Sequence, residues 1–250
     1  MLALKLLLVP SLIWAITLAG RRWGPAVAGW LSGFPVVSAP VLFFLATDQG
    51  PQFAAAAAAA TLSAVLAVFL FGLGYAWTAT RTSWLPSLLA GLLGYFAAVG
   101  LLDLLGPPVW MSAPVVYAAV VLAPRAFPAM PPPPRAPVSS YGELALRMAA
   151  GAALVLAVTH FASDLGPRMS GLFAMFPVLG TVLAVFSHRQ AGAPFTISLL
   201  RGMTVGYYAF TSFCLVLAVA LPGLTIGAAF TLALAVAMLI QVLARRYVGR

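Results

Sequence analysis

The chain has 250 residues, of which 63% are hydrophobic and 7% charged, with 13 basic and 4 acidic side chains giving a net charge of +9. A soluble domain needs roughly a quarter of its residues charged to cover its surface, so a water-soluble globule is excluded and hydrocarbon must be the solvent. The positive balance does not point to nucleic acid, because the cations stand singly or in pairs between apolar runs and form no basic face.

Counted in spans of about 20 apolar residues, the sequence contains nine candidate transmembrane helices. The first, Leu2–Ala19, carries Lys5 and is followed by Arg21 and Arg22. That arginine pair opposes translocation of its end and favours a retained helix over a cleaved signal. The second, Pro25–Ala46, starts on proline, a favoured first helical position, and meets Phe34 and Pro35 ten residues on. At about 1.5 Å per residue, Pro35 falls near the middle of a core about 30 Å thick. Proline there removes a backbone hydrogen bond and clashes with the preceding turn, so a break is expected.

The third span, Phe53–Ala79, begins with the run Ala54–Ala60, and the fourth is Leu85–Leu105. The fifth, Pro107–Ala123, is short and has Pro114 in its middle. A linker at 124–142 follows, holding Pro131–Pro134 and Pro137, which should be stiff and extended. Then come Leu144–Ser163, Pro167–Ser187, Pro194–Leu221 and Pro222–Ala244. The lone Cys214 lies inside the eighth run, so the chain has no disulfide framework or CxxC pair.

Short loops rich in Lys and Arg stay cytoplasmic. With nine spans and the N-terminus outside, ten cations fall in the cytoplasm, Lys5 and Arg168 fall outside, and Arg201 stays in the membrane. Removing the weak fifth span would move the linker, Arg189 and the basic C-terminus outside. The sequence therefore predicts an inner-membrane, multi-pass protein with its N-terminus outside and C-terminus cytoplasmic.

The chain also resembles itself. Gly24-Pro25, Gly29 and Phe34-Pro35-Val36 recur without a gap as Gly166-Pro167, Gly171 and Phe176-Pro177-Val178, 142 positions on. Alanine and leucine coincide cheaply between apolar stretches, but these glycines and prolines do not. An odd number of crossings separates equivalent spans, so the second half should lie upside down. The expected fold is all-α, with nine spans in an inverted 4+1+4 repeat: 2–105 as repeat 1, 107–123 as a linking helix, 124–142 as a cytoplasmic linker and 143–246 as repeat 2.

Proline-interrupted spans at matching positions in two halves point to a transport site, which nominates Phe34, Pro35, Phe176 and Pro177. The eighth span adds polar groups: Arg201, Thr204, Tyr208 and Thr211 recur at i, i+3, i+7 and i+10, expected as one stripe. A charged group inside a span costs about 2.5–3.5 kcal/mol on insertion scales and should face a cavity or a partner; snorkelling to the interface is the alternative. The repeat equivalent of Arg201 is Ala59. The alanine run would leave room beside the guanidinium for an anionic or carboxylate-bearing ligand, or would serve tight helix packing. His160 and Asp164, four apart on one face, are a candidate proton relay. Glu143 and Arg147 form a similar pair and read as structural.

No Walker loop, GxSxG, metal-ligating cluster or paired intramembrane carboxylate is present, so no enzyme, metal or cofactor is expected. The Gly-Pro-x-x-x-Gly-x-x-x-x-Phe-Pro signature resembles the small, four-helix, GlpM-like bacterial membrane proteins over about 30 residues in each half. That family has no well-defined activity, and the resemblance implies architecture alone: two such units fused through a linking helix. The leading expectation is a small secondary transporter, an exporter being one form of it, with alternating access around the second and seventh spans. A channel or lipid translocase, and a non-transporting scaffold subunit, are the alternatives. The expected partners are the lipid bilayer and a small-molecule or ion substrate, with no nucleic acid and homo-oligomerisation left open.

Overall fold

The computed structural model describes residues 2–133, 141–163 and 176–247. Among them the protein is all-helical, with no strand. Helix α1 is Leu2–Trp23, α2 Pro25–Ser32, α3 Ser38–Gln49, α4 Pro51–Ala79, α5 Trp84–Leu105, α6 Val109–Ala126 and α7 Tyr141–Ser163. Helix α8 is Val178–Ala220, interrupted by non-helical backbone at Gly192, and α9 is Ile226–Ala244 with a 3-10 turn at Arg245–Tyr247. Helices α4, α5, α6, α8 and α9 are long and apolar enough to cross a membrane. The exposed large side chains, such as Leu93, Leu104 and Trp110, are those of a bundle whose outside meets lipid.

Two segments differ in their bounds from the sequence reading. The second span is two helices, α2 and α3, because the chain breaks across 33–37. Helix α6 runs to Ala126 and so takes in Pro124, which the sequence had assigned to the linker. After it the chain turns back onto the bundle: Phe127 is buried and Met130 packs on the core. The start of the linker is held by the apolar groups the bundle leaves open. The first part of the seventh span, 167–175, lies outside the described residues, as does the Gly166 before it.

The two Phe-Pro-Val sites share one local geometry. The Val36 amide donates to the Phe34 carbonyl at 2.8 Å, and the Val178 amide donates to the Phe176 carbonyl at 2.7 Å. Pro177 has φ −76° and ψ 62°, the values of an inverse γ-turn, which suits proline's fixed φ. Each helix then restarts on the proline carbonyl: Ala39 donates to Pro35 at 2.9 Å and Thr181 to Pro177 at 2.7 Å. A second shared feature follows downstream. Gly50 (φ 94°) and Gly192 (φ 78°) both adopt a positive φ that only glycine takes without strain.

Helix α2 crosses α8 at backbone contact. Gly29 of α2 and Gly33 just after it meet Gly202 and Gly206 of α8, and a Cβ added at Gly33 would lie 2.6 Å from the Gly206 Cα. The same atom at Gly29 would lie 2.7 Å from the Met203 nitrogen. Paired small-xxx-small spacings let helices approach this closely where no hydrophobic effect drives them together. Contacts advance together along both chains, from Ala26 on Gly202 to Gly33 on Gly206, so the two helices run in the same direction.

Helix α6 fixes the remaining directions. Its Ser112 bonds Ser63 of α4 at 2.8 Å, and Trp77 of α4 donates to the Ala126 carbonyl at 2.9 Å. Equal spacing along both helices makes α4 and α6 parallel. Tyr117 bonds Ser212 of α8 at 2.6 Å, while Arg125 and Arg201 line one cleft. Helix α8 therefore runs against α6, and so against α4.

Candidate functional site

Where α6, α8, α9 and the start of the linker meet, a cleft of about 960 Å³ opens. It is bounded on one side by Pro131, Pro132 and Pro133. Three arginines line it: Arg125 from the last turn of α6, Arg201 from α8, and Arg246 just after α9. No acidic residue stands among the described residues of its wall. Arg125 spends one nitrogen on the Val121 carbonyl of its own helix at 3.2 Å. Arg201 is half-buried, and its buried Nε finds no acceptor in the protein. Like charges gathered on an apolar wall focus a positive potential into the cleft.

Tyr208 lines the same cleft, seven residues from Arg201. The other two members of the expected stripe do not. Thr204 is 2% exposed, and its hydroxyl donates to the Arg201 carbonyl at 2.7 Å. Thr211 is fully buried and donates to the Tyr207 and Tyr208 carbonyls at 2.8 and 3.1 Å. Helical phase explains the correction. At 3.6 residues per turn, positions seven apart align to about 20°, whereas three and ten residues turn the side chain by roughly 60° and 80°. Both threonines face inward and bond back to their own helix.

The alanine run also sits elsewhere. Ala54, Ala55 and Ala58 lie buried in one core cluster with Ala209, Phe213 and Leu217, and none lines the wall beside Arg201. Its small side chains serve close packing of α4 on α8. The room beside Arg201 lies between α6, α8, α9 and the start of the linker.

The two proline breaks converge on one stretch of α8. Gly33, just before Phe34, abuts Gly206 and the Tyr207 backbone. Pro177 lines a cavity of about 10 Å³ together with Met203, Thr204 and Tyr207, room for about one water. Pro35 and Pro177 are buried, and both phenylalanines are half-buried. Phe176 stacks edge-on against Tyr95 of α5 at 5.4 Å, whereas Phe34 packs in the cluster formed by α3, α4 and α8. The phenylalanines thus brace the breaks from different sides.

His160 is exposed. Asp164, its partner in the candidate relay, lies outside the described residues. The Glu143–Arg147 pair closes at 3.3 Å, with Arg147 buried and also bonded to Gln190 of α8. The sequence missed Arg125 and Arg246 as cleft residues, since each reads as an ordinary span-end charge. It also missed Tyr75, whose hydroxyl lies 3.2 Å from His188 Nδ1 across more than a hundred residues of chain. No pattern local to either residue announces that contact.

No family model matches this chain, and searches of curated proteins and of solved structures likewise return no match.

Proposed function

We propose that the protein is a small secondary transporter of the inner membrane for an anionic or carboxylate-bearing solute. The observation that carries this reading is the cleft lined by Arg125, Arg201 and Arg246, with no carboxylate among the described residues of its wall. A guanidinium presents a planar fork that suits carboxylate or phosphate geometry. A cation set inside an apolar bundle is a functional-site marker by default. Arg201 and Tyr208 are the residues that would bind the solute.

The proposed architecture is nine spans in two halves of inverted topology, N-terminus outside and C-terminus cytoplasmic. Support comes from the paired γ-turns at Phe34-Pro35-Val36 and Phe176-Pro177-Val178, and from Gly50 and Gly192 in like backbone states 142 positions apart. Helix α4 and the later part of α8 correspond at that offset and run antiparallel, as a two-fold axis in the membrane plane requires. The same relation fits the resemblance to GlpM-like proteins as a fused antiparallel pair. Alternating access would rock the halves about the glycine crossing of α2 on α8, whose flanking breaks are already non-helical.

The test is uptake into proteoliposomes of labelled acetate, succinate and inorganic phosphate, each with and without an imposed proton or sodium gradient. At least one of these anions is expected to accumulate against its gradient only when the ion gradient is present. Arg201→Ala should lose that accumulation by about a hundredfold, the worth of one or two charge-assisted hydrogen bonds, while remaining folded and extractable. Equal accumulation by wild type and Arg201→Ala would overturn the site. Flux that ignores the ion gradient would make the protein a channel. Reporter fusions after Leu105 and after Gly142 should fall on opposite sides; the same side for both would remove the nine-span topology.

A further inference from the structure

Helices α6 and α9 each pack along α8, and neither packs along the other. The cleft fills the gap between them, with α8 as its floor. We propose that its ligand is an amphipathic anion, a carboxylate or phosphate head joined to an acyl chain, which enters from the bilayer between α6 and α9. This rests on the reading of the cleft as an anion site and narrows the class of solute.

Charge selects the head, and Arg125 and Arg201 suffice for the sign. Among the described residues, Arg125 bonds the neutral Val121 carbonyl at 3.2 Å, and the buried Arg201 Nε has no acceptor in the protein. No acidic side chain lies among the described residues of the wall, while Ser198 and Tyr208 add hydroxyls to it. A carboxylate or phosphate takes both kinds of donor.

The remaining wall selects the chain. Apart from those five side chains it carries no polar one, and it is made of proline, aliphatic residues, Met130 and Gly202. At about 960 Å³ the space stands near the top of the range that encloses drug-sized ligands. A two-carbon carboxylate would leave most of that apolar wall against water. Hydrocarbon covers it, and each buried methylene is worth roughly fourfold in affinity.

The order of the groups selects the route. Val121 of α6 and Leu243 of α9 both line the cleft, yet they are 45% and 50% exposed. Each stands about one turn before the arginine that follows its helix end, Arg125 or Arg246. The apolar rim therefore lies deeper than the cationic rim, as the chain and head of a membrane-borne anion are arranged. Basic pockets between spans hold the heads of acidic lipids in this way.

The experiment places the full-length protein in phosphatidylcholine nanodiscs with chain-diazirine palmitate, phosphatidic acid or phosphatidylcholine, in alkaline buffer that keeps the palmitate ionised. Adducts are mapped by mass spectrometry. At least one anionic probe should label Val121, Ile240 or Leu243 about tenfold more than the neutral probe does, relative to Leu93 of α5. That probe names the head. Arg201→Ala should bring this labelling down to the neutral level and leave Leu93 unchanged. Acetate and inorganic phosphate should displace the probe only at concentrations about a hundredfold above those of its unlabelled parent.

Equal labelling of the gap by the neutral probe would make it ordinary lipid-facing surface and end the proposal. So would unchanged labelling in Arg201→Ala. Displacement by acetate or phosphate as readily as by the parent would overturn entry from the bilayer while leaving the anion site standing. If no anion of either kind labels or competes, both readings fall. Should Arg201→Ala not fold, the ratio of anionic to neutral labelling in the wild type decides.

Discussion

Arg147 and Arg201 are two arginines set into one apolar bundle, and they differ in what surrounds them. Arg147 is almost wholly buried and bonded to Glu143 and Gln190 in a cavity of about 30 Å³. Arg201 is half-buried and faces about 960 Å³ in the company of two more arginines. Removing the first breaks its bonds to Glu143 and Gln190, so it should act on stability. Removing the second leaves the cleft less cationic and the fold untouched, so it should act on binding. Partners, more than depth, separate a structural cation from the one proposed to meet a ligand.

The largest effect expected along this comparison is that of Arg147→Ala. Breaking a buried pair costs about 3–5 kcal/mol, and the low end applies because the Glu143 side chain is 24% exposed. Removing both charges in Glu143→Gln/Arg147→Gln should recover part of that loss. Denaturation in mild detergent reads both, and a wild-type melt for Arg147→Ala would erase the distinction between the two arginines.

Next comes Arg201→Lys. The ammonium keeps the charge and loses the bidentate fork, so anion affinity should drop about tenfold, one charge-assisted hydrogen bond's worth. Isothermal titration in nanodiscs measures it, and full retention would mean that charge alone suffices. Arg125→Ala and Arg246→Ala remove the other two cations of the cleft wall and should weaken binding roughly threefold each through the screened field. Smallest is Thr204→Val. Its hydroxyl bonds its own helix and faces away from the cleft, so affinity should change by less than about twofold. A tenfold loss there would mean that the solute reaches the inner cavity beside Pro177.

Much of the helical framework was legible because it follows from short-range chemistry. Apolar runs of sufficient length gave α4, α5, α6 and α9 almost to their ends. Phe34-Pro35 and Phe176-Pro177 announced non-helical backbone, since proline acts on the turn just before it. The cleft was half legible. Arg201 stood out because a charge inside an apolar run is expensive, whereas Arg125 and Arg246 looked like any span-end cation. The stripe reading failed at Thr204 and Thr211 because spacing groups residues only to within a wide angle, and the cleft wall is narrower than that angle.

What the amino-acid sequence determined by itself is the solvent, the helical class and the places where the helices stop, all effects within a turn or two of each residue. Only the tertiary structure decided which charges keep company. Glu143 and Gln190 reach Arg147 from two helices, and Arg125, Arg201 and Arg246 meet from three elements spread over more than a hundred residues. The glycine crossing of α2 on α8 helps to set that outcome, because backbone-to-backbone contact fixes how α8 lies in the bundle, and with it what each arginine faces.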